Sequence, residues 1–284
     1  MKGIIIKGIG GFYYVKDSDS NIFECKARGI FRKNNIKPTV GDYVEIEGGS
    51  INEIYPRKSH LIRPNVANID NLIIVIAAAN PSPDYFLTDK LIVASLASGI
   101  TPVICVNKTD LADYIYIKEL YQNAGFEVID VCAEKRQGTD EIKRIITGKV
   151  SAFAGLSGVG KSSILNLLGE ELAQTGEISK INRGKHTTRH VELFDVGNNS
   201  YILDTPGFSS LDITDICDVK PEELASYFPE FSDEVAFNCR FKGCAHINEP
   251  DCSVKRRVER GLVSKERYNN YIELYNQLKA VKQW

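Results

Sequence analysis

FAGLSGVGKSS, Phe153–Ser163, lies between an apolar run and a helix-forming run, and Gly155–Ser162 fits G-x-x-x-x-G-K-[ST] without deviation. Glycines at 155, 158 and 160 let successive backbone N–H groups turn toward one point, and the helix that follows adds the positive end of its dipole. Such a nest takes phosphate oxygens. Lys161 can neutralise β- and γ-phosphates, and the Ser162 hydroxyl can ligate Mg2+. The plain alternative, a glycine-rich turn without a ligand, is disfavoured by the strand before it and the helix after it. The candidate nucleotide-binding residues of this loop are Gly155, Leu156, Ser157, Gly158, Val159, Gly160, Lys161, Ser162 and Ser163.

Two other stretches complete a site around that loop. DTPG, Asp204–Gly207, ends an apolar run; its carboxylate can hold magnesium through water and the Gly207 N–H can sense a γ-phosphate. NKTD, Asn107–Asp110, closes the run PVICV. Guanine presents N1–H and an N2 amino group side by side, and Asp110 can accept both. Adenine would leave that buried carboxylate facing a lone pair, which is the mismatch that discriminates most strongly. Asn107 can reach the O6/N7 edge, and the stem of Lys108 can cover the ring. A Ser-Ala-Lys loop is the expected companion. VCAEKRQG supplies Cys132, Ala133 and Glu134 instead, so the Ala133 N–H is kept while the serine and lysine side chains are not.

The texture of residues 64–215 is that of an α/β domain. Near-continuous apolar strands (NLIIVIAAA, TPVICVNK, FEVIDVCA, VSAFAG, SYILDTPG) alternate with helical stretches, as in a parallel sheet covered on both faces. Residues 1–62 differ: short aromatic or alternating runs punctuated by Gly, Asn and Asp predict about five strands in a small closed barrel, OB-type by first choice. Lys26, Arg28, Arg32, Lys33 and Lys37 lie there, with Phe31 available to stack on a base.

The C-terminal stretch CRFKGCAHINEPDC places Cys239, Cys244, His246 and Cys252 at C-x4-C-x-H-x5-C. Three thiolates and an imidazole make a closed tetrahedral set for structural zinc, with buried free thiols as the alternative. The other cysteines, Cys25, Cys105, Cys132 and Cys217, have no partner at ligand spacing. In the last helix Tyr268, Tyr271, Ile272, Tyr275 and Leu278 share a face, read as packing against the metal module, with partner binding the lesser alternative.

The net charge of −2 is unevenly spread: residues 1–63 and 238–284 are net positive and the middle is net negative. Basic ends point to a polyanion, or else are solvated faces without a partner. The longest apolar run, Leu72–Ala79, is too short to span a bilayer, and MKGIIIKG is no secretory signal, so the cytoplasm is the expected location.

The order of the motifs is unusual: base reader, phosphate loop, then Asp-Thr-Pro-Gly. It resembles the circularly permuted branch of the translation-factor-like GTPases. Together with the barrel and the Cys/His module, nearly the whole chain resembles the ribosome small subunit-dependent GTPase family, RsgA. That resemblance implies a central circularly permuted P-loop GTPase domain (63–215), an N-terminal OB-type β-barrel (1–62) and a C-terminal zinc-binding, mostly helical module (216–284). It implies hydrolysis of GTP to GDP and phosphate, stimulated by the small (30S) ribosomal subunit, in late subunit maturation. The chain would grip 16S rRNA as a monomer and leave on hydrolysis. One structural Zn2+ and Mg2+ with GTP are the implied cofactors. Within NRGKHTTRH, Thr188 is implied as a Mg2+ ligand beside Ser162, and His186 as the group orienting the attacking water, or else as a phosphate or rRNA contact. Phe208 stands where a water-orienting Gln is familiar, so unstimulated hydrolysis should be slow. An RNA-binding scaffold and a protein-directed signalling GTPase are the competing function classes.

Overall fold

The computed structural model describes residues 1–33, 36–174, 191–204, 213–232 and 238–280. Five strands, β1 (Lys2–Ile9), β2 (Phe12–Asp17), β3 (Ile22–Ala27), β4 (Tyr43–Glu47) and β5 (Ser50–Ile54), close into a barrel in the order β1-β2-β3-β5-β4. Helix α1 (Gly29–Lys33) lies between β3 and β4. β3 pairs with β5 in parallel and the other pairs are antiparallel, giving the OB-type closure. The hairpin turns Gly10–Gly11 and Gly48–Gly49 both take positive φ, which two-residue turns between right-twisted strands require. Ile5, Val15, Cys25, Val44, Ile46 and Ile51 point inward from alternating positions and fill the barrel. Phe31 corrects the sequence reading: it is only 8% exposed and packs in this core, because the short helix turns its ring inward.

After the short pair β6 (His60–Leu61) and β7 (Val66–Ala67), the chain builds a six-stranded sheet. Its strands are β8 (Asn71–Ala77), β9 (Thr101–Asn107), β10 (Glu127–Asp130), β11 (Val150–Ala154), β12 (Leu193–Asp195) and β13 (Tyr201–Asp204), in the spatial order β10-β9-β8-β11-β13-β12. Every pair is parallel except the edge pair β12–β13. Alternate residues of β8 feed two cores. Leu72, Ile74 and Ile76 meet α2 (Tyr85–Ala97) and α3 (Ile115–Asn123); Ile73, Val75 and Ala77 meet α4 (Thr139–Ile146) and α5 (Lys161–Gln174). Coverage on both faces explains why these strands read as unbroken apolar runs.

The join made by the permutation is short and well bonded. β10, α4 and the turn at Gly148 lead into β11, which lies beside β8. Asp70 fastens the two strand starts: its N–H donates to Val150 O at 2.8 Å and its Oδ2 accepts from Val150 N at 2.8 Å. From β8 the chain works outward through β9 to β10; after β11 it goes to the opposite edge, first to β12 and then back to β13 beside β11. The crevice at the C-terminal ends of β8 and β11 is therefore a topological switch point, where α/β sheets bind ligands.

The last segment holds α6 (Ile213–Ile216), two 3-10 turns (Pro221–Tyr227 and Pro229–Phe231), α7 (Ser253–Glu259) and α8 (Lys265–Ala280). α8 carries the tyrosine stripe inward as expected: Tyr271, Tyr275 and Leu278 are buried. The Tyr268 and Tyr271 hydroxyls donate to the carbonyls of His246 and Ala245, each at 2.6 Å.

Candidate nucleotide site and metal centre

The sequence-predicted loops converge on the C-terminal edge of the sheet. Gly155 follows β11 with φ 137°, and a Cβ there would stand 2.2 Å from the Val75 carbonyl oxygen. Gly160, φ 96°, backs onto Asn107, whose Nδ2 would lie 2.2 Å from an added Cβ. Only glycine fits either place. Lys161 opens α5, and its ammonium donates to the carbonyls of Gly155 and Leu156 at 2.6 Å each, holding the loop closed. Val159 is buried, while Ser157, Gly158, Ser162 and Ser163 are exposed around the loop's mouth. Asp204 ends β13 in register with Phe153, two residues before Gly155. His186, Thr188, Gly207 and Phe208 lie outside the described residues.

Asn107 also holds the loops together. Its Nδ2 donates to Val159 O at 2.9 Å and its Oδ1 accepts from the Ala133 N–H at 3.3 Å. The buried carboxamide thus ties the base-reading loop to the phosphate loop on one side and to the Cys132–Ala133 loop on the other. Lys108, at φ 59°, donates through its ammonium to the Asn80 carbonyl, which its place in NKTD did not reveal.

Cys132 restores what the missing serine would have given. Its Sγ donates to Asp110 Oδ1 at 3.2 Å, and Lys135 Nζ lies 3.9 Å from Asp110 Oδ2. The lysine expected at 134 stands one residue later, a shift that a fixed three-residue motif hides. A tight turn holds the loop: Cys132 and Gln137 exchange backbone hydrogen bonds of 3.1 and 3.0 Å. The Cys132 hydrogen bond leads the causes that hold the Asp110 carboxyl below its ordinary pKa. Burial, then the bond to Asp110, pushes the Cys132 thiol up. The thiol keeps its proton and the carboxylate keeps its charge, the state in which it can accept two N–H groups.

The sequence pattern of the RsgA GTPase family matches residues 54–214, and that of the RsgA N-terminal domain matches residues 2–53. The chain belongs to the RsgA GTPase family. It is 47% identical to the small ribosomal subunit biogenesis GTPase RsgA of Ruminiclostridium cellulolyticum, over 99% of this chain and 95% of that one. To the RsgA of Caldanaerobacter subterraneus subsp. tengcongensis it is 44% identical, over 98% and 96%. The crystal structure of YloQ, a circularly permuted GTPase, superposes with a TM-score of 0.81 at 37% identity, covering 100% of this chain and 96% of that one. YjeQ from Thermotoga maritima gives 0.82 at 34% identity, covering 99% of each. As an RsgA GTPase the chain is a GTP-hydrolysing enzyme with a permuted catalytic domain.

The Cys/His cluster of this RsgA chain is assembled as its spacing predicts. One ligand atom from each of Cys239, Cys244, His246 and Cys252 lies within 4.8 Å of every other. Cys239 and Cys252 Sγ are 3.9 Å apart, and Cys239 Sγ lies 3.6 Å from His246 Nδ1. A tetrahedral zinc with bonds of about 2.3 Å to sulfur and 2.0 Å to nitrogen needs separations of about 3.8 and 3.5 Å. The donor set fits that ion. His246 is 2% exposed, and burial lowers its pKa, favouring the neutral imidazole that a metal requires. Ser253, unmarked in the sequence reading, contributes its N–H at 3.3 Å and its Oγ at 3.0 Å to the Cys239 sulfur.

Helix α8 docks on α2 through Arg267, itself 1% exposed. Its guanidinium bonds the fully buried Asp89 of α2 and takes Glu230 with both Nε and Nη2, at 2.5 and 3.1 Å. Asn270 Nδ2 adds a bond of 2.7 Å to Asp89. The rings of Tyr121, Phe126 and Phe228 surround the cation at 5.1–5.6 Å. The partners come from distant parts of the chain, so no local motif announces them.

Proposed function

We propose that this GTPase binds GTP in the crevice between the phosphate loop and NKTD, and hydrolyses it in response to the small ribosomal subunit. The observation that carries the nucleotide reading is the Asn107 clamp, which ties the NKTD loop to the phosphate loop and to the Cys132–Ala133 loop. Gly155 to Ser163 cradle the phosphates, Lys161 neutralises them, and Asp110 accepts the guanine N–H groups with Lys108 over the ring. Cys132 and Ala133 line the far side. Mg2+ would be held by Ser162 and Thr188, with Asp204 and Gly207 sensing it and the γ-phosphate, and would stabilise charge on the transferring phosphoryl group. His186 orients the attacking water.

Cys239, Cys244, His246 and Cys252 hold one Zn2+ that shapes the C-terminal module. The subunit partner is supported by the curated relatives, whose names place them in small ribosomal subunit biogenesis. The basic ends of the chain fit rRNA, the 16S molecule within the small subunit. Residues 1–62, 63–215 and 216–284 divide the work into an RNA-gripping barrel, the switch and the zinc module. A monomer acting in the cytoplasm fits this role; among the described residues no helix is long and apolar enough to cross a membrane.

GTP turnover measured with and without purified small subunits tests the reading. Turnover should rise steeply with subunits and slow as salt is raised. Unchanged turnover would reject the ribosomal role, and equal uptake of ATP and GTP would reject the site.

A further inference from the structure

The barrel and the GTPase sheet are joined through strand β12, and the join is charged. On its outer edge β1 pairs with β4 over Lys2–Ile4. Its pairing with β2 then shifts between Ile5 and Lys7, a bulge that re-aims the strand. At Lys7 the strand forms an antiparallel bridge to Glu192, and the two side chains pair at 2.9 Å. One strand over, Lys16 of β2 pairs with Asp195 and lies 5.7 Å from the centre of the Tyr201 ring.

β12 is well placed to report on the hydrolytic site. It pairs with β13 through Leu193↔Leu203, Phe194↔Ile202 and Asp195↔Tyr201. Continued by one residue, that register sets Glu192 opposite Asp204, the last residue of β13. In sequence Glu192 follows Thr188 by four positions. Val191, two residues before β12, lines a groove of about 1020 Å³ on the barrel. Phe12, Tyr13, Lys26 and Lys37 share that groove, and Lys26 stands 4.7 Å over the Phe12 ring. The groove offers aromatic faces and positive charge, the chemistry of an unpaired nucleic-acid strand.

We propose that Lys7 and Lys16, acting through Glu192 and Asp195, are positioning residues that carry RNA contact at the barrel to the hydrolytic site. The proposal rests on the reading of the chain as an RNA-responsive GTPase. Both ion pairs are partly exposed, so each is weak and can be remade when the barrel shifts on its RNA. The backbone bridge keeps the shift in register with β12, and β12 passes it to β13, which ends at Asp204.

The test is a charge exchange read at saturating small subunits. Lys7→Glu should cut stimulated kcat about tenfold, within the usual range of coupling between sites. Turnover without subunits, GTP affinity and the half-saturating subunit concentration should stay unchanged. Lys7→Glu with Glu192→Lys restores the pair with its signs exchanged and should recover most of the stimulated rate. A double variant as slow as Lys7→Glu would show that Lys7 acts on RNA directly, and would overturn the coupling. If Lys7→Glu folds poorly, Lys7→Met removes the charge while keeping the stem, and should show the same loss of stimulation. A stimulated wild type matched by its Lys7 variants overturns the coupling alone. A wild type that subunits leave unstimulated overturns the functional reading and the coupling with it.

Discussion

The Cys132 thiol donates to the Asp110 carboxylate across 3.2 Å, so a cysteine serves where a serine is expected in the loop that supports the base reader. The bond fixes one oxygen of the group that must meet two guanine N–H donors. It also leads the causes that keep Asp110 ionised. Cys132→Ser keeps a donor at that place and should bind GTP as the wild type does. Cys132→Ala removes a hydrogen bond to a charged group, about 1.5 kcal/mol, or roughly tenfold in Kd. Titration with a fluorescent guanine nucleotide checks both; an alanine variant that binds as tightly as wild type would remove Cys132 from the site.

Gly160 and Asn107 share too little space for a side chain at 160. Gly160→Ala combines a positive φ of 96° with a Cβ 2.2 Å from Asn107 Nδ2. The phosphate loop must shift, and GTP and GDP affinity should fall together, by about a hundredfold for a displaced phosphate cradle. Asn107→Ala alone should also weaken both nucleotides, by unfastening Val159 and Ala133. Because the clash needs both residues, the double variant should bind better than the sum of the single losses allows. Strict additivity would show that the two positions act separately.

The contrast between these positions shows what the sequence made readable. Phosphate and guanine recognition need glycines, a lysine and an aspartate at fixed short spacing, so Gly155–Ser162 and Asn107–Asp110 are visible in one dimension. The Cys239, Cys244, His246 and Cys252 set is visible for the same reason. Periodicity gave the strands and helices of the sheet, but strand order in the barrel depends on pairings that composition does not encode. Phe31 was misread because one aromatic in a short helix can turn either way. Lys135 was hidden by a one-residue shift. Arg267, Asp89 and Glu230 were invisible because their relation exists only after α8 has packed on α2.

Zinc removal should act on the C-terminal module first. A zinc bound there would hold the chain through His246, and the Ala245 and His246 carbonyls anchor the Tyr271 and Tyr268 hydroxyls. Elemental analysis should find one zinc per chain, and Cys252→Ser should lose it. Structural zinc contributes folding free energy directly, so the variant's residues 238–280 should exchange amide hydrogens faster while residues 150–168 keep their protection. A wild type without zinc, or a variant whose exchange is unchanged, would refute a structural metal.

The Arg267 network predicts a pH dependence with a definite sign. Burial pushes the Asp89 carboxyl up to about 7, with Arg267 and Asn270 opposing the rise. Arg267→Met keeps only an unbranched apolar stem and leaves Asp89 and Glu230 buried without their cation, a loss of about 3–5 kcal/mol. Removing the cation takes away the largest influence opposing that rise, so the folded-state pKa of Asp89 goes further up. A carboxyl raised on folding takes up protons in the folded state, so its stabilising contribution grows as pH falls from the folded value toward the unfolded one. The deficit of Arg267→Met should therefore be largest near pH 8 and shrink toward pH 6, where a neutral Asp89 no longer needs a partner. Urea unfolding of wild type and variant at both pH values measures it. A deficit that stays constant, or grows on acidification, would show that the lost packing against Tyr121, Phe126 and Phe228 outweighs the lost charge.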